Sequence, residues 1–178
     1  MSTQTIVARL NSTDKVVSGW LARHSLTLLR ISVGIVFVWF GALKLVPGLS
    51  PAEPLIRASI TFLPMDLFLP VLAILEMTIG VGFILGGKFK RITIILLLGQ
   101  MAGAMSPIVL RPDLIFTHFP YALTLEGQYI IKDIILISAG LVVGATVRGG
   151  GLVADPSALA ASLKRRTVEV RSLLGMGE

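Results

Sequence analysis

Long apolar runs alternate with short polar segments along this chain. Four runs extend over residues 25–46, 67–86, 92–110 and 127–147. Each has roughly 20 residues, the length that an α-helix needs to cross the hydrocarbon core of a bilayer. The runs lack both the alternation of a membrane β-barrel and the polar stripes of helices in a soluble bundle. The pattern therefore predicts an all-α fold, a polytopic membrane protein with a four-transmembrane-helix bundle.

The composition favours the same class of protein. The 178 residues are 54% hydrophobic, and the mean hydropathy is +0.85. A soluble domain of this size could not bury so many apolar side chains in its core. The first run is not a cleaved signal peptide, because a long mixed segment precedes it and "GALKLVPGLS" ends it with a lysine and a turn. We expect one compact membrane domain over residues 25–148.

The two ends of the chain are amphipathic. In residues 149–178, Asp155 and Pro156 mark a helix start, and apolar residues then recur at helical spacing around the basic residues 164–166. This pattern is typical of a helix that lies on anionic lipid. We predict a cytoplasmic amphipathic segment over residues 1–24 and a cytoplasmic amphipathic helix over 149–178. Their apolar faces would bind either lipid or a partner protein, and the sequence does not separate the two.

The basic residues predict the orientation. They cluster before the first run, in the "GGKFKR" turn between the second and third runs, and after the fourth run. The positive-inside rule then places both termini and this turn in the cytoplasm, and the two longer loops outside. The net charge of +6 reflects this topology and attraction to anionic lipid. We predict no nucleic-acid binding, because the basic residues are scattered among three segments.

The two outer loops carry local structural signals. The stretch Ser50-Pro51-Ala52-Glu53 resembles a capping box with proline at the first helical position, which predicts a short interfacial helix to about residue 62. The second loop, "RPDLIFTHFPYALTLEG", places aromatic side chains between prolines. It predicts an aromatic belt at the lipid headgroups, with a ligand lid as the alternative. No metal site is predicted, because His118 has no second suitable ligand nearby.

Polar residues interrupt the apolar runs at similar depths. At a rise of roughly 1.5 Å per residue, Glu76 lies about 9–15 Å and Lys132 about 9 Å from the outer ends of their helices. Lys44 is near the outer end of the first helix, Gln100 is near the middle of the third, and Gln128 precedes Lys132 on the fourth. A lone charge at the bilayer centre costs roughly 2.5–3.5 kcal/mol on insertion scales. A facing lysine or a bound proton offsets that cost. We therefore predict that these five residues form a buried polar cluster, with Glu76 paired to Lys132 or Lys44.

Small residues accompany the polar groups. Gly80 follows Glu76 by one turn, and the two GxxxG motifs are 99–103 and 140–144. One face of the first helix carries Gly34, Phe37, Gly41 and Lys44. Small residues let membrane helices approach closely. Lys44 and Glu76 are therefore expected to point into the bundle.

Two further charged residues lie inside the runs. Asp133 projects about 100° away from its neighbour Lys132. It could pair with another interior group, or with Arg111 or Arg30 where the geometry allows. Arg30 lies near the cytoplasmic end of its helix, where its side chain can snorkel to the membrane surface.

Three sequence segments contain these residues in a fixed order: "LLRISVGIVFVWFGALKLVPG", "LEMTIGVGFILGGKFKR" and "GQYIIKDIILISAGLVV". Together they resemble the DoxX-like membrane proteins, and most closely the subgroup that contains the reactive-chlorine-resistance protein C. The resemblance covers about residues 26–147. It implies a four-helix bundle in the bacterial plasma (inner) membrane and a link to redox or oxidant-stress physiology, since the family's namesakes are subunits associated with thiosulfate oxidation by quinone. It also matches Lys44, Glu76 and Lys132 to charged positions of the family.

The chain also departs from some bundles of this architecture. It has no cysteine, so it cannot run a thiol–disulfide relay of its own. It contains no P-loop, dinucleotide fingerprint or metal-spaced cluster. Any electron would therefore pass through a bound quinone or a partner subunit.

Three hypotheses about function remain open at this point. The first is the membrane subunit of a redox or oxidant-stress system, with a small polar site for a quinone headgroup or a small anion. The second is a small-solute transporter or channel whose pathway the same charges line. The third is a structural membrane partner whose buried charges only fix helix packing. The sequence does not decide whether the protein is an enzyme. Its expected partners are the lipid bilayer, membrane or redox proteins, and a second copy of the chain.

Overall fold

The computed structural model describes residues 3–153 together with 155, 157, 160, 161 and 164. Most of the amphipathic helix predicted over 149–178 lies outside the described residues. The helices are α1 (Thr3–Leu43), α2 (Glu53–Ser59), α3 (Met65–Leu85), α4 (Lys90–Met105), α5 (Pro107–Leu110), α6 (Pro112–Ile115) and α7 (Leu125–Ala145). Two short strands, β1 (Phe116–His118) and β2 (Ala122–Leu123), form an antiparallel hairpin before α7. The all-α fold predicted from the sequence is confirmed, apart from this small hairpin.

The four predicted membrane spans are confirmed as helices. Segments long and apolar enough to cross a membrane are Thr13–Leu43, Met65–Leu85, Gly87–Leu110 and Leu125–Ala145, with mean hydropathies between 1.6 and 2.2. By length and composition, the chain is a multi-pass membrane protein. It divides into two compact units, one formed by Thr27–Gly150 and the other by Met1–Leu26 with Gly151–Glu178. All the residues considered below as a site belong to the first unit.

The core of this unit takes side chains from all four long helices. Ile79, Phe83 and Leu97 are at most 2% exposed, so the centre of the bundle is tightly filled. The buried core residues are Val33, Phe37, Ile79, Phe83, Leu97, Met101, Ala139 and Val143. Each long helix thus supplies two of them, which places the four helices around one common core.

Glycines set the closest approaches between these helices. A Cβ atom at Gly80 of α3 would lie 2.6 Å from the backbone oxygen of Gly34 on α1, so no larger residue fits without a shift of the backbone. Gly140 of α7 packs in the same way against the Leu97 side chain of α4. The predicted GxxxG motif at 99–103 does not pack against another helix in this way, because a Cβ at Gly99 or Gly103 would meet nothing within 4 Å. Its predicted role in packing this bundle is wrong, since α4 turns that face outward.

The end of the bundle that carries residues 86–89, here called the turn end, is closed by an arginine. Gly86 and Gly87 have φ values of 65° and 54°, which allow the tight turn from α3 into α4. Arg30 of α1 donates hydrogen bonds to the last carbonyl groups of α3, those of Phe83 and of Ile84, the latter at 2.7 Å. Arg30 therefore binds the free C-terminal carbonyls of a helix, where a cation is favourable.

The opposite end, here called the loop end, comprises residues 44–64 and 106–124. Thr124 caps α7, because its hydroxyl accepts a hydrogen bond from the Gly127 amide at 2.9 Å and donates one to the Leu114 carbonyl at 2.7 Å. Arg111 joins the two loops by donating to the Ala58 carbonyl at 2.7 Å. The loop end is thus an ordered layer of polypeptide held by side-chain hydrogen bonds.

The capping box predicted at residues 50–53 is wrong. Helix α2 begins at Glu53, and its N-cap residue, Ala52, has no side-chain cap. The Ser50 hydroxyl is buried and has no hydrogen-bond partner in the part of the chain that the structure describes, and the Glu53 carboxylate turns back to accept from the Gly48 amide at 2.9 Å. A second proline, Pro54, occupies the first turn, so the helix starts later than the sequence pattern suggests.

Candidate functional site

A buried ion pair joins α1 and α3 near the loop end of the bundle. The ammonium nitrogen Nζ of Lys44 lies 2.7 Å from Oε2 of Glu76, and the two side chains are only 6% and 8% exposed. Lys44 is the first residue after α1, so its side chain reaches down along the helix and also donates to the Phe40 carbonyl at 3.5 Å. Glu76 is on the buried face of α3 with Ala73 and Gly80. The sequence left the partner of Glu76 open between two lysines, and the structure selects Lys44.

Gln100 adds a third side chain from α4. Its amide nitrogen Nε2 donates to Oε1 of Glu76 at 3.0 Å, so each carboxylate oxygen of Glu76 has its own donor. The amide oxygen of Gln100 is buried and has no hydrogen-bond partner among the described residues. A buried acceptor without a donor costs free energy, on the order of 1–3 kcal/mol. The arrangement is therefore one hydrogen-bond donor short. We call Lys44, Glu76 and Gln100, with Asp133 described below, the polar cluster.

Two of the predicted cluster residues lie elsewhere. Gln128 and Lys132 are both exposed on α7, and the Nζ atom of Lys132 sits over the Tyr129 ring, 5.6 Å from its centroid. They are one turn apart and therefore share a helix face. The buried face of α7 is the one that carries Gly127, Ile130, Ala139, Gly140 and Val143. The prediction that Gln128 and Lys132 enter the cluster is wrong, because the rotation of α7 turns them away from the other helices.

Asp133 takes the place that was predicted for Lys132. It is half-buried, and its charge interacts with those of Glu76 and Lys44. The sequence contained a signal for this position, since Asp133 precedes Gly140 by seven residues and shares its helix face. All four long helices therefore bring a polar group to one region, as predicted, but the α7 residue is an acid and not a base.

Two further ion pairs hold the loop end together. The Glu53 carboxylate accepts from the Gly48 amide and from Arg57 at 2.8 Å, and these donors, the amide first, lower the pKa of Glu53. Arg111 forms two parallel hydrogen bonds with Asp113, at 3.0 and 2.8 Å, which lower the pKa of Asp113. Arg111 is thus engaged with Asp113, and the pairing considered between Arg111 and Asp133 is not formed.

The aromatic residues of the second loop surround the hairpin. Phe119 and Tyr121 are 72% and 80% exposed, and the His118 ring stacks on Tyr121 at a centroid distance of 6.4 Å. An open depression of about 430 Å³ lies between Pro112, Asp113, Phe116 and Phe119. Within residues 13–153, no group of three His, Cys, Asp or Glu side chains is close enough to hold a metal ion. The aromatic belt and the ligand lid both stay predictions from the sequence.

An apolar groove of about 410 Å³ runs along the outside of α1. It is lined by Ile35, Val38, Trp39, Ala42, Leu43, Val46, Leu49 and Ile84. No member of the polar cluster lines it, because Lys44 points from the opposite side of the helix toward α3.

No family model, curated protein or solved structure matches this chain. The resemblance to the DoxX-like proteins therefore stays a prediction from three sequence segments. The polar cluster, with its paired charges, its extra acid and its unpaired acceptor, is the feature of the chain that bears on function.

Proposed function

We propose that this protein is the membrane subunit of a redox or oxidant-stress system in the bacterial plasma membrane, and that its polar cluster binds the headgroup of a quinone. The observation that carries the proposal is the unpaired amide oxygen of Gln100, buried beside an ammonium group, a carboxylate and a second acid. Such a site offers both donors and acceptors inside an otherwise apolar bundle. It is the kind of environment in which a lipophilic molecule with a small polar head binds.

The chemistry of a quinone fits this donor and acceptor set. A quinone carbonyl accepts hydrogen bonds, which the Lys44 ammonium and the Gln100 amide nitrogen can donate. The hydroxyl groups of the quinol donate hydrogen bonds, which the Gln100 oxygen and the carboxylates can accept. Reduction of a quinone to a quinol takes up two electrons and two protons. The electrons would come from a partner redox protein, since the chain has no cysteine with which to carry them.

The charge of the cluster favours a neutral ligand over an anion. Glu76 and Asp133 supply two acids against the single ammonium of Lys44. The ammonium of Lys44 is already paired with Glu76, so a free anion would find no unpaired cation in this cluster of low dielectric constant. A neutral quinone headgroup needs no such counter-charge. We therefore favour the quinone over the small anion that the sequence left as an equal choice.

The proposed orientation follows from the basic residues. The turn end carries Lys88, Lys90 and Arg91, whereas each basic residue of the loop end that the structure describes, apart from Lys44, pairs with an acid of its own loop. The positive-inside rule places the turn end and both termini in the cytoplasm. The polar cluster then lies in the half of the membrane that faces away from the cytoplasm.

Purification in mild detergent tests the quinone site directly. We expect quinone to co-extract with the wild-type protein and a short-chain quinone to raise its thermal midpoint. Gln100→Leu should lose both effects, because it removes the amide that is short of a donor. Lys132→Met is the matched control and should keep both, since Lys132 is exposed and outside the cluster. A wild-type protein that contains no quinone and does not respond to added quinone would contradict the proposal.

A structural role is the second candidate, and one observation favours it. Lys44 and Glu76 neutralise each other's charge at a distance of 2.7 Å. A pair whose only role is to fix the register of α1 against α3 would have this arrangement. The two candidates differ in what happens when both charges are removed. The transporter hypothesis stays a prediction from the sequence.

A further inference from the structure

The polar cluster contains one more acid than base. Lys44 carries one positive charge, and Glu76 and Asp133 would carry two negative charges if both were ionised. An uncompensated charge within a membrane helix bundle costs several kcal/mol. The bundle can avoid this cost by holding a cation, and the smallest cation available in water is a proton.

The hydrogen bonds indicate which acid would hold a proton. Glu76 receives a donor on each oxygen, from Lys44 at 2.7 Å and from Gln100 at 3.0 Å, and donors of this kind stabilise the ionised form of a carboxylate. Asp133 receives no hydrogen bond from any residue of the described part of the chain, and it is half-buried. Of the two acids, Asp133 is therefore the one that lacks donors to stabilise its ionised form.

The packing of α7 on α4 gives the level of Asp133 relative to Gln100. Gly144 packs against Ile94, and Gly140 against Leu97, so the two helices run antiparallel in a fixed register. Extending this register puts Asp133 about one helical turn beyond the level of Gln100, toward the loop end. A protonated carboxyl group is a hydrogen-bond donor, which is what the Gln100 oxygen lacks.

Other charged groups near this end of the bundle do not neutralise Asp133. Lys132 projects away and lies over the Tyr129 ring. Arg111 is held by Asp113, and Arg57 is held by Glu53.

We propose that the polar cluster is a proton-binding site, in which Asp133 holds a proton at neutral pH beside the ionised pair of Lys44 and Glu76. The proton-binding site does not depend on whether a quinone binds. If a quinone does bind, Asp133 is the group placed to deliver a proton to it, with the proton passing from the carboxyl oxygen to the quinone oxygen.

Infrared difference spectroscopy of the purified protein at neutral pH tests the proposal. A protonated carboxylic acid gives a carbonyl stretching band that is separate from the bands of carboxylates and amides. We expect this band in the wild-type protein and expect Asp133→Asn to abolish it. Asp113→Asn is the matched control, since it makes the same chemical change at an exposed, paired aspartate, and it should leave the band unchanged.

Isotope labelling covers the case in which Asp133→Asn does not accumulate. Carbon-13 in the aspartate carboxyl groups of the wild-type protein should shift the band, and carbon-13 in the glutamates should not. A band that shifts only with labelled glutamate would overturn the assignment to Asp133. Absence of the band at neutral pH, or a thermal midpoint that rises with Na⁺ in its place, would show that no proton neutralises the cluster. Loss of quinone binding with the band retained would contradict only the proposed function.

Discussion

Removing one partner of the Lys44–Glu76 pair should destabilise the bundle strongly. Glu76→Gln leaves the Lys44 ammonium without its counter-charge at a site where both side chains are less than 10% exposed, at 6% and 8%. Breaking a buried pair from one side costs about 3–5 kcal/mol. The same change also weakens the hydrogen bond from Gln100, because a neutral acceptor replaces a carboxylate. We therefore expect Glu76→Gln to lose about 3–5 kcal/mol of unfolding free energy, and Lys44→Met to lose a similar amount.

The double variant Lys44→Met with Glu76→Gln completes a thermodynamic cycle. Neither charge is then left alone, so its loss should be smaller than the sum of the two single losses, by about 0.5–3 kcal/mol. Asp113→Asn is the surface control. It breaks a pair whose side chains are 38% and 61% exposed, and such a pair contributes about 1 kcal/mol or less.

Reversible unfolding in mixed detergent micelles, followed by circular dichroism, measures the four proteins and the control. If Glu76→Gln has the stability of the wild type, the ion pair does not hold α1 to α3 and the reasoning is refuted. The same samples separate the two candidate functions. A purely structural role predicts that the double variant regains stability and any oxidant-resistance phenotype, whereas a quinone site predicts that it regains stability alone.

Three other measurements check separate parts of the structure. Gly80→Val should reduce the unfolding free energy by about 1–3 kcal/mol because its Cβ would lie 2.6 Å from the backbone of α1, whereas Gly99→Val should change it little because that face is empty; equal effects would contradict the packing. Since the chain has no cysteine, Thr117→Cys should react with an impermeant thiol reagent in intact cells and Lys88→Cys should not, and the reverse pattern would overturn the orientation. Because the pKa of Glu53 is lowered in the folded protein, the loop it holds is stabilised above the ordinary carboxyl pKa and loses that stabilisation as the pH falls through the lowered value. The protection of residues 48–57 against hydrogen exchange, relative to the intrinsic rate at each pH, should therefore fall in acid in the wild type and not in Glu53→Gln, and identical pH profiles of protection would contradict the assigned donors.

The sequence alone was sufficient for the membrane-spanning helices and for the depth of their polar residues. Helix length and apolar content are local properties, so the four spans could be read without any knowledge of packing. The depth of Glu76 follows from counting residues along a helix of known rise, and a charge at that depth requires a partner. Short loops were harder, since the late start of α2 at Glu53 depends on where its carboxylate finds donors and not on a local motif.

Tertiary structure decided which side of each helix faces the core. Lys132 and Asp133 are neighbours in the sequence and differ in direction by only about 100°. A modest rotation of α7 therefore exchanges a base for an acid in the cluster. That rotation is determined by the contact of Gly140 with Leu97, and the outward turn of Gly99 and Gly103 is likewise determined by how α4 packs. Counting along the sequence establishes depth, but only contact between helices establishes rotation, because the side chains that exclude one another come from distant parts of the chain.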